Sequence, residues 1–197
     1  ADPKSDLGLP PSTVNLLSNS GFESGLADWT ANVEAATGGI ATSSFEGHSH
    51  FVSGTTPLAF AEQTVDLEAA GHSATALDSG DLRLVFGGRL RHAQPKEVSQ
   101  SLVSIEFLNG SAASLGPRLV ALATRSADGR WELVGDEVEI PVGARQAVFR
   151  YEAALSAASG ANYGRLDHAW MRVVSENHGA DIGAYGETAL DTDVTPT

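Results

Sequence analysis

The sequence of 197 residues contains no cysteine and only two lysines, and its formal net charge is −13. Without cysteine, disulfide bonds cannot stabilise the fold, so burial of apolar side chains must do so. The acidic surface repels phosphate backbones and anionic headgroups, which argues against nucleic acid as a partner and against membrane insertion. No apolar run approaches the roughly 20 residues of a membrane span. No segment has the pattern of a secretory signal peptide.

The sequence also lacks the short motifs of common catalytic sites. There is no G-x-S-x-G, no H-E-x-x-H, no P-loop and no G-x-G-x-x-G. Acidic residues are abundant, but no spacing marks two of them as the catalytic pair of a glycoside hydrolase. We therefore predict that the protein is not an enzyme.

A long stretch with the 3.6-residue period of an amphipathic helix is likewise missing. Short segments with a period of two, separated by turns, take its place. Val103, Ile105 and Phe107 alternate with polar residues and are the clearest strand signal, and segments 60–67, 82–86 and 147–153 alternate in the same way. This pattern favours an all-β fold, an antiparallel β-sandwich.

Three connecting segments carry predictions of their own. Residues 68–80 and 89–97 are predicted to be loops. The double glycine Gly87-Gly88 indicates either a bulge or a close approach of another part of the chain. Asp128-Gly129 predicts a hairpin that joins the strands on either side of it.

Two distant stretches form a recognisable pair. Residues 15–29 read N-L-L-S-N-S-G-F-E-S-G-L-A-D-W, and residues 162–173 read N-Y-G-R-L-D-H-A-W-M-R-V. Together with A-E-Q-T-V-D-L at 61–67, they resemble the galactose-binding-like jelly-roll domains, which include many carbohydrate-binding modules of bacterial extracellular proteins. The resemblance covers about residues 14–175 and implies a jelly roll whose opening and closing strands lie side by side. It leaves 1–13 as a linker or arm and 176–197 as a C-terminal extension and linker.

The same resemblance implies a structural calcium ion. In the family, a Glu of the opening segment and an Asp of the closing strand meet at this ion, and the matching residues are Glu23 and Asp167. Carboxylate oxygens are the hard ligands that calcium prefers, and the remaining ligands would be backbone carbonyls of the opening turn and of the 43–50 loop. The alternative is two ordinary surface acids.

The resemblance also implies which side chains of the closing strand face outward. If Leu166, Ala169, Met171 and Val173 face the core, then His168, Trp170 and Arg172 face outward, where an aromatic ring can stack on a sugar. Arg83 and Arg150 are expected on the outer sides of their own strands. If these strands share a sheet, all five residues form a carbohydrate-binding face. The alternatives are that residues after 175 cover Trp170, or that an arginine simply packs on its ring.

Other residues have two interpretations each. Arg83, Arg89, Arg91 and His92 either bind an acidic sugar or balance the charge of an acidic protein. His48 and His50 share one face of a strand, and a solvated or hydrogen-bonded pair is favoured over a metal site.

Trp29 is predicted to be a core residue, and Trp131, after the predicted hairpin turn, to be exposed.

The resemblance thus implies a non-catalytic carbohydrate-binding module. We expect it to be secreted or at the cell surface, to belong to a larger chain, to hold a structural calcium ion and to bind a glycan or polysaccharide. The alternative is a structural spacer or adhesin domain without a small-molecule ligand. An aromatic content of only 7% favours this alternative.

Overall fold

The computed structural model of the protein describes residues 14–33, 39–92, 99–124, 129–155 and 164–175. These residues form two five-stranded antiparallel sheets and one short helix. The elements are β1 (Thr30–Ala31), β2 (Ile40–Ala41), β3 (His50–Val52), β4 (Leu58–Asp66), α1 (Ala74–Leu77), β5 (Leu82–His92), β6 (Ser99–Leu108), β7 (Leu119–Leu122), β8 (Glu132–Glu139), β9 (Gln146–Leu155) and β10 (Gly164–Ser175).

The strands divide between the sheets in an order that differs from their order in the chain. One sheet, here called the front sheet, runs β2-β3-β10-β5-β8, and the back sheet runs β1-β4-β9-β6-β7. Every pairing is antiparallel. The predicted all-β sandwich is therefore confirmed.

The core lies between the two sheets and is built by the period-two alternation. Phe86 and Met171 of the front sheet and Phe149 and Tyr151 of the back sheet have no exposed surface. Phe51 of the front sheet meets Tyr151 edge to face, with ring centroids 5.6 Å apart. Each large apolar side chain that is fully buried stabilises the fold by about 1.5–3 kcal/mol.

The opening segment runs beside β10, as the resemblance implies, but without forming a strand of its own. The backbone N–H of Leu16 donates to the carbonyl of Met171 at 2.8 Å, and that of Ala169 donates to the carbonyl of Ser20 at 3.0 Å. Trp29 is buried at 7% exposure and donates its Nε1–H to the carbonyl of Asn19. The prediction that Trp29 is a core residue is confirmed.

Three local predictions are wrong. Segment 68–80 contains α1, whose first turn is capped by the Ser73 side chain accepting from the N–H of Ala76. Residues 89–92 of the loop predicted at 89–97 belong to β5, which pairs with β8 up to Leu90 and with β10 up to His92. Residues 93–97 lie outside the described ranges. The hairpin prediction fails because β7 pairs with β6 in the back sheet, whereas β8 pairs with β5 in the front sheet.

The predicted arm at 1–13 and extension at 176–197 lie outside the described residues. Within the part of the chain that the structure describes, no helix has the length and apolar character needed to cross a bilayer.

Candidate functional site

The two predicted calcium ligands bind the same loop. Asp167 lies at a β-bulge, where the pairing of β10 with β5 shifts between Asp167 and Trp170. Its Oδ2 accepts from the backbone N–H groups of Phe45 at 2.7 Å and Glu46 at 3.1 Å, and its Oδ1 accepts from that of His168 at 2.7 Å. The bulge therefore aims the carboxylate of Asp167 at the loop before β3.

Glu23 holds the other end of this loop. Its Oε1 accepts from the backbone N–H groups of His48 at 2.8 Å and Ser49 at 2.9 Å. Gly47 has a φ of 69°, and a Cβ added there would collide with the Glu23 carboxylate. A glycine is therefore needed at this point for the loop to fold around Glu23.

The two carboxylates also influence each other. The N–H donors of Ser49 and His48 lower the pKa of Glu23. Burial raises the pKa of Asp167, its three backbone donors oppose that change, and the charge of Glu23 raises it further. The site therefore brings two mutually repelling negative charges to one loop.

A hard cation suits this arrangement in charge and in ligand type. Among the described residues, no group of three or more His, Cys, Asp or Glu side chains is placed to hold a metal ion. Glu23 and Asp167 would therefore need oxygens from backbone carbonyls or water to complete a calcium site. The hydrogen bonds to the loop N–H groups provide a second, metal-independent means of holding residues 45–49.

The predicted binding face around Trp170 is only partly assembled. The side chain of Trp170 is half-buried and lies across Gly87 and Gly135, its neighbours in β5 and β8. A Cβ added at Gly87 would collide with the indole, and one added at Gly135 would lie 2.9 Å from its Cη2 atom. The structure shows both alternatives for the double glycine: the close approach at Gly87, and a shift in the pairing of β10 that lies opposite Gly88.

Of the other residues predicted for this face, Arg83 and His168 have local partners. Arg83 Nε lies 3.5 Å from Glu137 Oε1 on the neighbouring strand. The His168 ring contacts the carboxylate of Glu46. Arg172 Nε is buried, with no hydrogen-bond partner within the described part of the chain. The predicted alternative that residues after 175 cover Trp170 concerns residues outside the described ranges.

Arg150 does not belong to this face, and its predicted grouping with Arg83, His168, Trp170 and Arg172 is wrong. It lies on β9, which pairs with β4 and β6 in the back sheet. Because the sheets pack through their inner faces, the outer face of β9 is on the opposite side of the sandwich from Trp170.

On the back sheet, Arg150 is the centre of an ordered cluster that the sequence did not predict. Its Nη1 lies 2.8 Å from Glu62 Oε2, and its Nε lies 2.6 Å from Glu152 Oε1. Its guanidinium carbon lies 3.8 Å from the centroid of the Phe60 ring. We call Phe60, Glu62, Arg150 and Glu152 the back-sheet cluster.

One sequence signal could have indicated part of this cluster. Alternation in 60–67 places Phe60 and Glu62 on the side opposite Ala61, and alternation in 147–153 does the same for Arg150 and Glu152. The pairing of Glu62 with Arg150 and of Phe60 with Glu152 depends on the register between β4 and β9. That register joins segments far apart in the chain.

Comparisons with known proteins show the fold. No protein-family model matches this chain, and no curated protein matches it significantly. The enzymatically active domain of tailspike protein 4 from bacteriophage CBA120 superposes with a TM-score of 0.58 at 14% identity, over 82% of this chain and 22% of that one. This chain therefore spans only about a fifth of that domain.

Two carbohydrate-binding modules match over nearly their whole length. TmCBM61, solved in complex with β-1,4-galactotriose, gives a TM-score of 0.54 at 14% identity over 83% of this chain and 100% of the module. The C-terminal family 22 carbohydrate binding module of Clostridium thermocellum Xyn10B gives 0.55 at 14% identity over 83% and 97%. The resemblance found in the sequence is thus confirmed at the level of fold: the chain is a β-sandwich of the jelly-roll type found in carbohydrate-binding modules.

Proposed function

We propose that this protein is a non-catalytic carbohydrate-binding module that binds a saccharide on the outer face of its back sheet, around Arg150. The observation that carries the proposal is the back-sheet cluster. There, two carboxylates and an aromatic ring hold one guanidinium in a fixed position in the middle of a sheet. None of the four side chains is needed to fill the core, because all of them lie on the outer face.

The chemistry of this cluster suits sugar hydroxyls. Glu62 and Glu152 offer acceptors and Arg150 offers donors, and small-ligand sites use a few such groups at fixed positions. Phe60 adds an apolar ring of the kind on which sugar rings stack. The side chain of Arg150 is 17% exposed, so the N–H donors that do not contact Glu62 or Glu152 can reach a ligand.

The fold neighbours support a saccharide as the ligand class. One of the matched modules was solved with β-1,4-galactotriose, and the other belongs to Xyn10B. The absence of a catalytic motif from the sequence supports binding without hydrolysis. We further propose that the module is secreted or displayed at the cell surface and belongs to a larger chain, as such modules commonly do.

We also propose that a calcium ion binds between Glu23 and Asp167. The repulsion between these carboxylates and the burial of Asp167 support a cation there, since a positive charge would stabilise both ionised groups. Bound calcium would fix the 45–49 loop against β10.

Binding of oligosaccharides to Arg150→Gln tests the proposal. A glycan array followed by calorimetry with the best neutral ligand should show at least a tenfold loss of affinity, which corresponds to about 1.4 kcal/mol. Arg145→Gln is a matched control, because Arg145 also contacts two carboxylates, Asp78 and Glu68, but lies away from the cluster.

Two results would overturn the proposal. One is unchanged affinity of folded Arg150→Gln. The other is an array on which the wild-type protein binds no saccharide, which would favour the spacer or adhesin alternative. Glu62→Gln and Glu152→Gln provide milder variants if Arg150→Gln unfolds.

A further inference from the structure

The outer face of the front sheet carries a second cluster, at the end where β10 begins. Arg165 on β10 lies directly opposite Arg91 on β5, and Arg89 lies two residues before Arg91 on the same face. Like charges directly opposite each other on neighbouring strands destabilise a sheet. Three of the ten arginines of a chain with net charge −13 are therefore gathered on one small surface.

These arginines differ from others in the protein in what they contact. Arg83, Arg118, Arg145 and Arg150 each lie within 4.0 Å of a carboxylate oxygen. Within the described ranges, no carboxylate lies that close to Arg89, Arg91 or Arg165. Asp167 is opposite Arg89 in the strand register, but its oxygens accept from three backbone N–H groups.

The polar atoms of the cluster are incompletely satisfied. Arg91 Nε is buried and has no hydrogen-bond partner among the residues that the structure describes. Arg165 Nη1 lies 2.8 Å from His50 Nε2, and since arginine can only donate, His50 accepts there. Burial, and then the charge of Arg91, lower the pKa of Arg165.

Two aromatic rings lie against the guanidinium groups. The carbon Cζ of Arg89 is 4.3 Å from the centroid of the Phe45 ring, and that of Arg91 is 5.8 Å from the centroid of the Trp131 ring. The two rings meet edge to face at 6.4 Å, and 44% of Phe45 is exposed. Rings and cations therefore form one continuous surface, here called the front-sheet cluster.

We propose that Arg89, Arg91 and Arg165 bind the anionic group of an acidic saccharide, a carboxylate or a sulfate ester, while Phe45 and Trp131 contact its ring. Guanidinium groups bind both oxyanions through paired hydrogen bonds, and such bonds are stronger at a partly buried surface. A bound anion would also relieve the repulsion between Arg91 and Arg165. The inference that an anion binds here depends only on the three arginines. The inference that this anion belongs to a saccharide rests on the proposed function.

The surroundings favour an acidic saccharide over a nucleic acid. The whole protein is strongly acidic, so a long polyphosphate is repelled everywhere except at this cluster. A short saccharide that carries one or a few charged groups can place them on the arginines and extend few or none over the acidic remainder of the surface. Charge balance, the alternative interpretation, would place these arginines beside carboxylates, as it does Arg118 beside Glu106 at 3.0 Å.

The experiment titrates the full chain by calorimetry with an oligogalacturonate, a sulfated oligosaccharide and an uncharged oligosaccharide, and with sulfate alone as the simplest probe. We expect one or both acidic oligosaccharides to bind, with an affinity that falls as salt rises. Arg91→Gln and Arg165→Gln should each weaken this binding at least tenfold. Arg118→Gln, which removes a carboxylate-paired arginine, should leave it unchanged.

The variants separate this proposal from the proposed function. Arg150→Gln should keep the acidic ligand, and Arg91→Gln should keep a neutral ligand of the back-sheet cluster. Arg91→Lys keeps the charge but removes the planar donor pair, so it should lose affinity while remaining folded. No binding of either acidic oligosaccharide, or binding that Arg91→Gln and Arg165→Gln leave unchanged, would overturn the proposal while leaving the neutral-glycan function intact.

Discussion

Glu23 and Asp167, near opposite ends of the described chain, accept hydrogen bonds from backbone N–H groups of one loop, residues 45–49. This relationship fastens the opening segment, the loop before β3 and the closing strand to one another. It also brings two negative charges to one loop, so that the charge of Glu23 adds to burial in raising the pKa of Asp167. Two interactions can therefore hold residues 45–49 against these carboxylates: a bound cation, or the hydrogen bonds from the backbone N–H groups alone.

The first prediction concerns calcium. A metal that binds only the folded state raises stability by RT ln(1 + [L]/Kd), about 2.7 kcal/mol at a hundredfold excess over Kd. We expect chelator to lower the melting temperature of the wild type and to have no effect on Asp167→Asn. Equal melting curves with calcium and with chelator, after verified removal of the metal, would show that the N–H groups hold the loop alone.

The second prediction concerns Trp170, whose ring lies on Gly87 and Gly135. Trp170→Ala should lower the free energy of unfolding by about 1–3 kcal/mol, less than for a fully buried Trp, because part of the side chain is already exposed. Denaturant unfolding measures this change, and binding of a neutral glycan at the back-sheet cluster should persist. If stability stays the same and glycan affinity disappears, Trp170 is the ligand platform that the sequence predicted.

The third prediction tests the same contact from the glycine side. Gly87→Ala introduces a Cβ that collides with the Trp170 indole and with the carbonyl of Val134. Overpacking of this kind lowers stability by about 1–3 kcal/mol. Gly116→Ala is the control, because a Cβ there meets no atom within 4 Å. Equal stability of the two variants in thermal unfolding would contradict the close packing of β5, β8 and β10.

The fourth prediction is a pH dependence that arises from His50. Burial, then the charges of Arg165 and Arg91, lower the pKa of His50 from 6.5 to about 4. The unfolded chain therefore binds a proton at His50 before the folded chain does, so its contribution to stability is complete above pH 6.5 and declines as the pH falls towards 4. The decline amounts to roughly 2–3 kcal/mol.

Comparison with His50→Gln isolates this contribution from those of other groups, since glutamine retains an acceptor but does not titrate. Urea unfolding at several pH values between 7.5 and 4.5 should show a steeper loss of stability in the wild type than in the variant. Parallel curves would mean that His50 becomes protonated in the folded protein as readily as in the unfolded chain.

Local alternation determined which side of each strand enters the core. The structure buries Phe149 and Tyr151 and leaves Arg150 and Glu152 on the outer side, as the period of two in 147–153 implies. The motifs at 15–29 and 162–173 indicated the jelly roll through their resemblance to the galactose-binding-like domains. Each strand pattern, and each of the two motifs taken singly, consists of residues close together in the chain.

Assignment of strands to sheets was beyond local sequence. Arg83 and Arg150 have the same outward pattern, yet β5 pairs with β10 and β9 pairs with β4 and β6, so the two arginines lie on opposite sides of the sandwich. The hairpin prediction at Asp128-Gly129 failed for the same reason, since turn residues favour a tight turn but do not specify which strands pair across it.

The sequence alone thus determined the all-β class, the buried face of most strands and the two carboxylates that bind one loop. Only the tertiary structure decided that Arg150 meets Glu62 and Phe60, and that Arg91 faces Arg165 without a carboxylate among the described residues. The physical reason is that both clusters depend on the register between strands distant in sequence. Register is fixed by the packing of two whole inner faces, to which every strand contributes.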